Sequence, residues 1–269
     1  MNSFKRIPHD TGIFSYRRDI VYFLLPKLRK VITDNGVIFT DTHYDFFDIT
    51  KYPTAHTVVY LRHSDDIEFL RKLPYEADLD ISYRVITHYQ YFVDTIRKET
   101  NFISHFIPMS IDPNRLPKPK TDKQQKFLYY QNEYDFKLPM LNKLQSMMKF
   151  DILSYGYFNG DMSIKHSHKK CLDILNDYQY VITTGRGVLE AIKLGCKVLN
   201  VGRNYTGAIY NEQTFDQHHK YNFNTYEHAE LTSDQLHNDI HKLRHEYQPI
   251  STDKIHMENY VDYYIDACK

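Results

Sequence analysis

Gly185-Arg186-Gly187 interrupts an apolar, β-rich run at Tyr180, Val181 and Ile182, and Val188, Leu189, Ile192 and Leu194 then recur at helical spacing until Gly195. A strand that passes into a helix through a glycine turn can bind an anion. The first helical amides have no partner within the helix, the dipole favours negative charge there, and glycines let the backbone approach a phosphate closely. Arg186 adds a guanidinium suited to bidentate phosphate contact, with Thr184 in the same turn. Glu190, about one turn into the helix, can accept hydrogen bonds from sugar hydroxyls. The chemistry expected of this group is recognition of a nucleotide's phosphates and ribose. The same spacing also serves as plain architecture, with Glu190 as a helix carboxylate.

Proton transfer would need a base, and RHSDD at residues 62–66 supplies a candidate. His63 stands past a predicted strand beside two aspartates, and an ordinary imidazole pKa near ~6.5 lets it accept a proton from an acceptor hydroxyl at neutral pH. His43 in DTHYD and His88 in THYQ follow predicted strands in the same way, among 15 histidines in all. No metal site is expected. His166 and His168, like His218 and His219, lack the i, i+4 spacing of a zinc helix, and Cys171, Cys196 and Cys268 are odd in number and far apart, which fits reduced thiols.

The 34 basic and 34 acidic side chains balance, so general attraction to nucleic acid or to an anionic membrane is not expected. A hydrophobic fraction of 42% fits a folded globular chain. The opening MNSFKRIPHDTGIFSYRRD lacks the charged and apolar regions of a signal peptide, and nothing reaches the ~18 uninterrupted apolar residues of a spanning helix. The expectation is a soluble, cytoplasmic protein.

The elements that must position these groups follow from periodicity. Residues 178–202 read as strand, tight turn, helix and strand, a βαβ unit that requires a parallel sheet. Upstream, strands are predicted at 36–40, 57–61, 81–87 and 102–106, with helices over 14–32, 65–71 and 89–99. Pro108, Pro113, Pro117 and Pro119, mixed with Lys, Asp and Gln, mark a linker, with the boundary near Asp112. Beyond it come strands at 126–131 and 150–154 and helices at 139–148 and 166–175. The final 256–267 is amphipathic with a Tyr-rich face.

GRGVLEAIKLGCKVLNVG resembles the carboxyl-domain signature of nucleotide-sugar-dependent GT-B glycosyltransferases, most closely the bacterial group 1-like members. YTGAIYNEQTFDQHHKYNF is similar to the segment that follows in some bacterial members, and FISHFIPMSIDPNRLPKPKTDKQQ resembles their interdomain passage. The resemblance implies an α/β GT-B fold: two Rossmann-like domains facing across a cleft, residues 1–111 on the acceptor side and 112–255 binding the donor. Residues 256–269 would return as a helix to the first domain. It also implies a hexosyltransferase that moves a sugar from a nucleotide donor, a UDP-sugar foremost, to an unidentified glycan, lipid-linked glycan or protein, with no cofactor and no metal. In the family the glutamate matching Glu190 holds the ribose and the preceding turn faces the diphosphate.

By the same analogy Asn132 and Lys137 flank a loop at the diphosphate, while Tyr155, Gly156 and Tyr157 stand where the base is held. Tyr205, Thr206 and Gly207 form a loop near the donor sugar, and Arg203 beside them is a second phosphate clamp. One feature departs from the pattern. Many retaining members carry a further glutamate eight residues before the ribose-holding one, and here that position is Ile182. Two other assignments share the outline: a nucleotide-sugar epimerase, and a non-catalytic GT-B-like partner subunit of another transferase.

Overall fold

The computed structural model of the chain describes residues 12–14, 27–28, 37–41, 56–61, 83–99, 102–131, 138–154, 168–224 and 231–269. These fall into two units, one of Met1–Pro108 with Met257–Lys269 and the other of Met109–His256. Most of the helix expected over 14–32 and the helix expected over 65–71 lie outside the described residues. So do the candidates His43, His63, Asn132, Lys137, Tyr155, Gly156 and Tyr157.

In the first unit β1 (Gly12–Phe14), β2 (Val37–Asp41), β3 (His56–Leu61), β4 (Tyr83–Thr87) and β5 (Ile103–Phe106) pair in sequence order, every pair parallel. Phe14, expected to open a helix, instead ends β1. Helix α1 (Gln90–Glu99) buries Phe92, Val93 and Ile96 at helical spacing and leaves Asp94, Arg97 and Lys98 in water. It is tied to β5 by Ser104 Oγ, which donates to the Val93 carbonyl at 3.1 Å.

The second unit contains β6 (Gln124–Gln131), α2 (Leu138–Met147), β7 (Asp151–Ser154), α3 (His168–Leu175) and β8 (Tyr178–Thr183). Then follow α4 (Arg186–Lys193), β9 (Lys197–Val201), β10 (Tyr205–Ile209), α5 (Glu212–His219) and α6 (Ser233–His245). Its sheet has the order β10-β9-β8-β6-β7. Alternation along the strands sorts the core into two layers. Leu128, Tyr130, Val181 and Val198 face Cys171, Leu172, Val188, Leu189 and Phe215 on α3, α4 and α5. Phe127, Tyr129, Ile182 and Leu199 face Leu141, Leu144, Leu236 and Leu243 on α2 and α6. The sheet is buried on both sides, the usual condition of parallel strands.

The sheet departs from an all-parallel one at a single edge. β6–β7, β6–β8 and β8–β9 are parallel, but β10 returns antiparallel to β9, with a bulge between Tyr205 and Gly207. The short turn after β9, where Gly202 N donates to the Asn204 carbonyl at 3.0 Å, leaves room only for that reversal. The segment expected as a loop at Tyr205, Thr206 and Gly207 is therefore a strand. The ends of the unit meet where Ile111 N donates to the Ile255 carbonyl at 2.9 Å and Ile111 bridges to His256.

The tail, expected as a helix over 256–269, is a 3-10 turn at Met257–Tyr260 followed by α7 (Val261–Ala267). Met257, Tyr264, Ala267 and Cys268 pack with Leu28, Ile86 and Ile107 of the first unit. Arg84 donates to the Asp266 carbonyl at 3.1 Å, and Lys27 pairs with Glu258. Among the described residues no helix is long and apolar enough to cross a membrane.

Candidate functional site

In the second unit the chain runs from β6 out to β7, then back across β6 to β8 and on to β9, so connections leave the β6–β8 boundary in opposite directions. Such a reversal opens a crevice beyond the carboxyl ends of the strands, where open α/β sheets bind ligands. At that boundary stand Tyr130 and Gln131 from β6 and the turn from Thr183 to Gly187 after β8.

The turn is tighter than its spacing suggests. Helix α4 begins at Arg186, ahead of Gly187, with Gly185 at the N-cap in a left-handed conformation, φ 57°. The amides of Gly187 and Val188, expected to be open to an anion, already donate to the carbonyls of Thr184 and Gly185 at 3.2 and 3.1 Å. Gly187 has no room for a side chain, since a Cβ there would lie 2.2 Å from Thr183 Oγ1. Thr184 Oγ1 donates to the Phe223 carbonyl at 2.8 Å, pinning the turn to the segment after α5. Asn200 Nδ2 donates to the same carbonyl at 3.0 Å and lies 3.3 Å from His218 Nδ1. Asn222 and Phe223 there both hold positive φ, 53° and 57°. Asparagine tolerates this region, but for phenylalanine it is strained, and the two hydrogen bonds on the Phe223 carbonyl help hold it.

Glu190 lies wholly inside, at 0% exposure. Its Oε2 accepts from the hydroxyl of Tyr130 at 2.8 Å. Its Oε1 takes two donors, Arg186 Nε at 2.8 Å and His168 Nε2 at 3.0 Å. Three elements thus meet on one carboxylate: the end of β6, the first residue of α3 and the first turn of α4. Burial alone would raise its pKa. The His168 hydrogen bond and the Arg186 charge outweigh burial and hold the carboxyl below the usual range, ionised at neutral pH. Burial and that carboxylate push the Cys171 thiol up. Unlike Glu190, the Arg186 and His168 side chains reach the surface, at 28% and 37% exposure.

Thr184, Gly185, Arg186, Gly187 and Glu190 therefore gather in the turn and first helical turn after β8, whereas the other described candidates have other partners, although Tyr205, paired with Val201 at the end of β9, lies at the same end of the sheet. Arg203 is exposed in the bend after β9. Tyr205 belongs to the opposite layer, packed with Leu231 and Leu236, and its hydroxyl donates to Asp239 Oδ2 at 2.6 Å. Burial, reinforced by that aspartate, pushes the phenol strongly up. Gly207 faces the same aspartate. In the first unit His88 is buried beyond β4, with Nδ1 against the Ile107 carbonyl.

Tyr130, His168 and Asn200 join the site although sequence reasoning did not single them out for it. Only His168 carried a local sign, as a polar residue where a helix was expected to start. Among the described residues no group of three or more His, Cys, Asp or Glu is arranged to hold a metal ion. Compared with known proteins, the sequence matches no family model and no curated protein.

Proposed function

We propose that the second unit binds the nucleoside diphosphate half of a nucleotide sugar, a UDP-sugar foremost, and that the chain is a glycosyltransferase acting on an unidentified acceptor. One observation carries the reading. The glycine turn that resembles the GT-B donor signature coincides with the reversal of strand order between β6 and β8, where an α/β sheet of this kind takes its ligand. Gly187 supports it, because the Thr183 side chain closes the space a Cβ would need and so brings α4 hard against β8.

In the proposed reaction the developing negative charge on the diphosphate is met by Arg186 and by the positive end of α4. Calorimetric titration with UDP, and detection of UDP released from UDP-sugars, test the two halves of the reading. Binding of UDP with micromolar to millimolar affinity and slow release from at least one UDP-sugar are expected. Absence of UDP binding refutes the donor site. Binding without release under any acceptor condition favours the non-catalytic partner subunit.

A further inference from the structure

We infer that Glu190 is a positioning residue: from inside the second unit it aims Arg186 and His168 at a phosphate-bearing ligand and does not touch the ligand. The inference rests on the donor-site reading above and changes the part that the resemblance gives this glutamate.

A carboxylate that reads a ribose must turn at least one oxygen toward the ligand. Glu190 has no exposed surface, and both oxygens are taken, Oε2 by Tyr130 and Oε1 by Arg186 and His168. Tyr130 is itself at 0% exposure, so the lock on Oε2 is made inside the core. The two basic side chains, by contrast, run from this buried anchor to the surface at the carboxyl ends of β6 and β8.

Binding Nε of Arg186 fixes the plane of the guanidinium. A fixed fork loses less freedom when it meets a phosphate than a free one does. Holding Nε2 of His168 sets the orientation of that ring in the same way. The arrangement is an ionised carboxylate behind two basic side chains that both donate to it.

Three probes separate the possibilities: inorganic pyrophosphate, which has phosphates and no ribose; uridine, which has a ribose and no phosphate; and UDP. Glu190→Gln keeps the size of the side chain but takes away the charge that holds both basic side chains. We expect its affinity for pyrophosphate and for UDP to fall by the same factor, about tenfold, with uridine unchanged. His168→Asn sits on a partly exposed side chain and spares the buried carboxylate. It should weaken pyrophosphate and UDP in parallel by a smaller factor, and it keeps the test valid if Glu190→Gln does not fold.

If Glu190→Gln weakens UDP and uridine but spares pyrophosphate, the glutamate reads the ribose and the inference is overturned while the donor site stands. If both variants bind all three probes as the wild type does, with only the melting temperature changed, the cluster braces the fold and the inference is again overturned. Wild-type binding of pyrophosphate but not UDP, lost in both variants, upholds the positioning role and removes the nucleotide-sugar reading. A wild type that binds neither overturns both.

Discussion

Replacing Tyr130 by phenylalanine removes one oxygen atom and leaves Oε2 of a fully buried, ionised Glu190 without its 2.8 Å donor. A hydrogen bond to a charged group is worth roughly 1.5–3 kcal/mol, and no water replaces it inside the core. For a domain of ~150 residues each kcal/mol moves the melting temperature by about 2–4 °C, so a fall of roughly 3–12 °C is expected. Thermal and urea unfolding followed by far-UV circular dichroism measure the two forms of the loss, since the chain has no tryptophan to report by fluorescence. The midpoint should drop at unchanged slope.

In the Glu190→Gln background the same substitution should cost at least ~1 kcal/mol less, because the charged acceptor is gone. The pH dependence has a definite sign. The folded carboxyl is held below its unfolded value of about 4.3, so its stabilisation is complete above that pH and is lost as pH falls through the folded value. The gap between wild type and Tyr130→Phe should therefore persist from neutral pH to about 4 and narrow below it. A loss under ~0.5 kcal/mol, or an equal loss in the Glu190→Gln background, would refute a charged, buried anchor.

Gly187→Ala places a Cβ 2.2 Å from Thr183 Oγ1, toward the severe end of the ~1–3 kcal/mol cost of overpacking. Alanine's better helix propensity recovers about 1 kcal/mol, so a net loss of about 1–2 kcal/mol is expected, and a melting temperature at or above wild type refutes the close contact. Burial lowers the pKa of His218 to about 4, so the unfolded chain binds its proton first. Stability is then lost as pH falls from ~6.5 toward about 4, and His218→Gln should flatten that limb of the unfolding curve; an NMR titration midpoint near 6.5 would contradict the assignment. Cys171, Cys196 and Cys268 are buried, with the last two thiols pushed up by burial to about 11 and about 12. Native protein should react with a thiol reagent far more slowly than urea-unfolded protein, and rapid labelling of any of the three would show that its cover opens.

The β8–α4–β9 unit was legible because the hydrophobic period changes from strand to helix and back around glycines, a signal carried within one stretch of chain. Helices α5 and α6 were not expected. EQTFDQHH and SDQLHNDIHKLRH are mostly polar and bury few side chains, among them Phe215, Leu236 and Leu243. Their local sign was in the caps: Asn211 with Thr214, and Thr232 with Gln235, form reciprocal capping boxes that can be read from residue types three apart. β10 was hidden because Arg-Asn-Tyr-Thr-Gly reads as a turn, and only pairing with β9 makes it a strand. Glu190 was legible as a special carboxylate, but its environment was not. Arg186 at i−4 reads as an ordinary helix pair, whereas Tyr130 and His168 reach it only through folding, from 60 and 22 positions away.

The first unit is finished by residues from the far end of the sequence, and this sets an order of assembly on the ribosome. Leu28, Ile86 and Ile107 emerge early, yet Met257, Tyr264 and Ala267, which cover them, are made after the whole of the second unit. The second unit, by contrast, joins its own ends, Ile111 and Ile255, with no residue from beyond them. Domains of nascent chains ordinarily mature from the amino terminus. Here the earlier-synthesised unit waits with apolar surface uncovered until the later one is made, so a cut before Met257 would strand the first unit rather than the second.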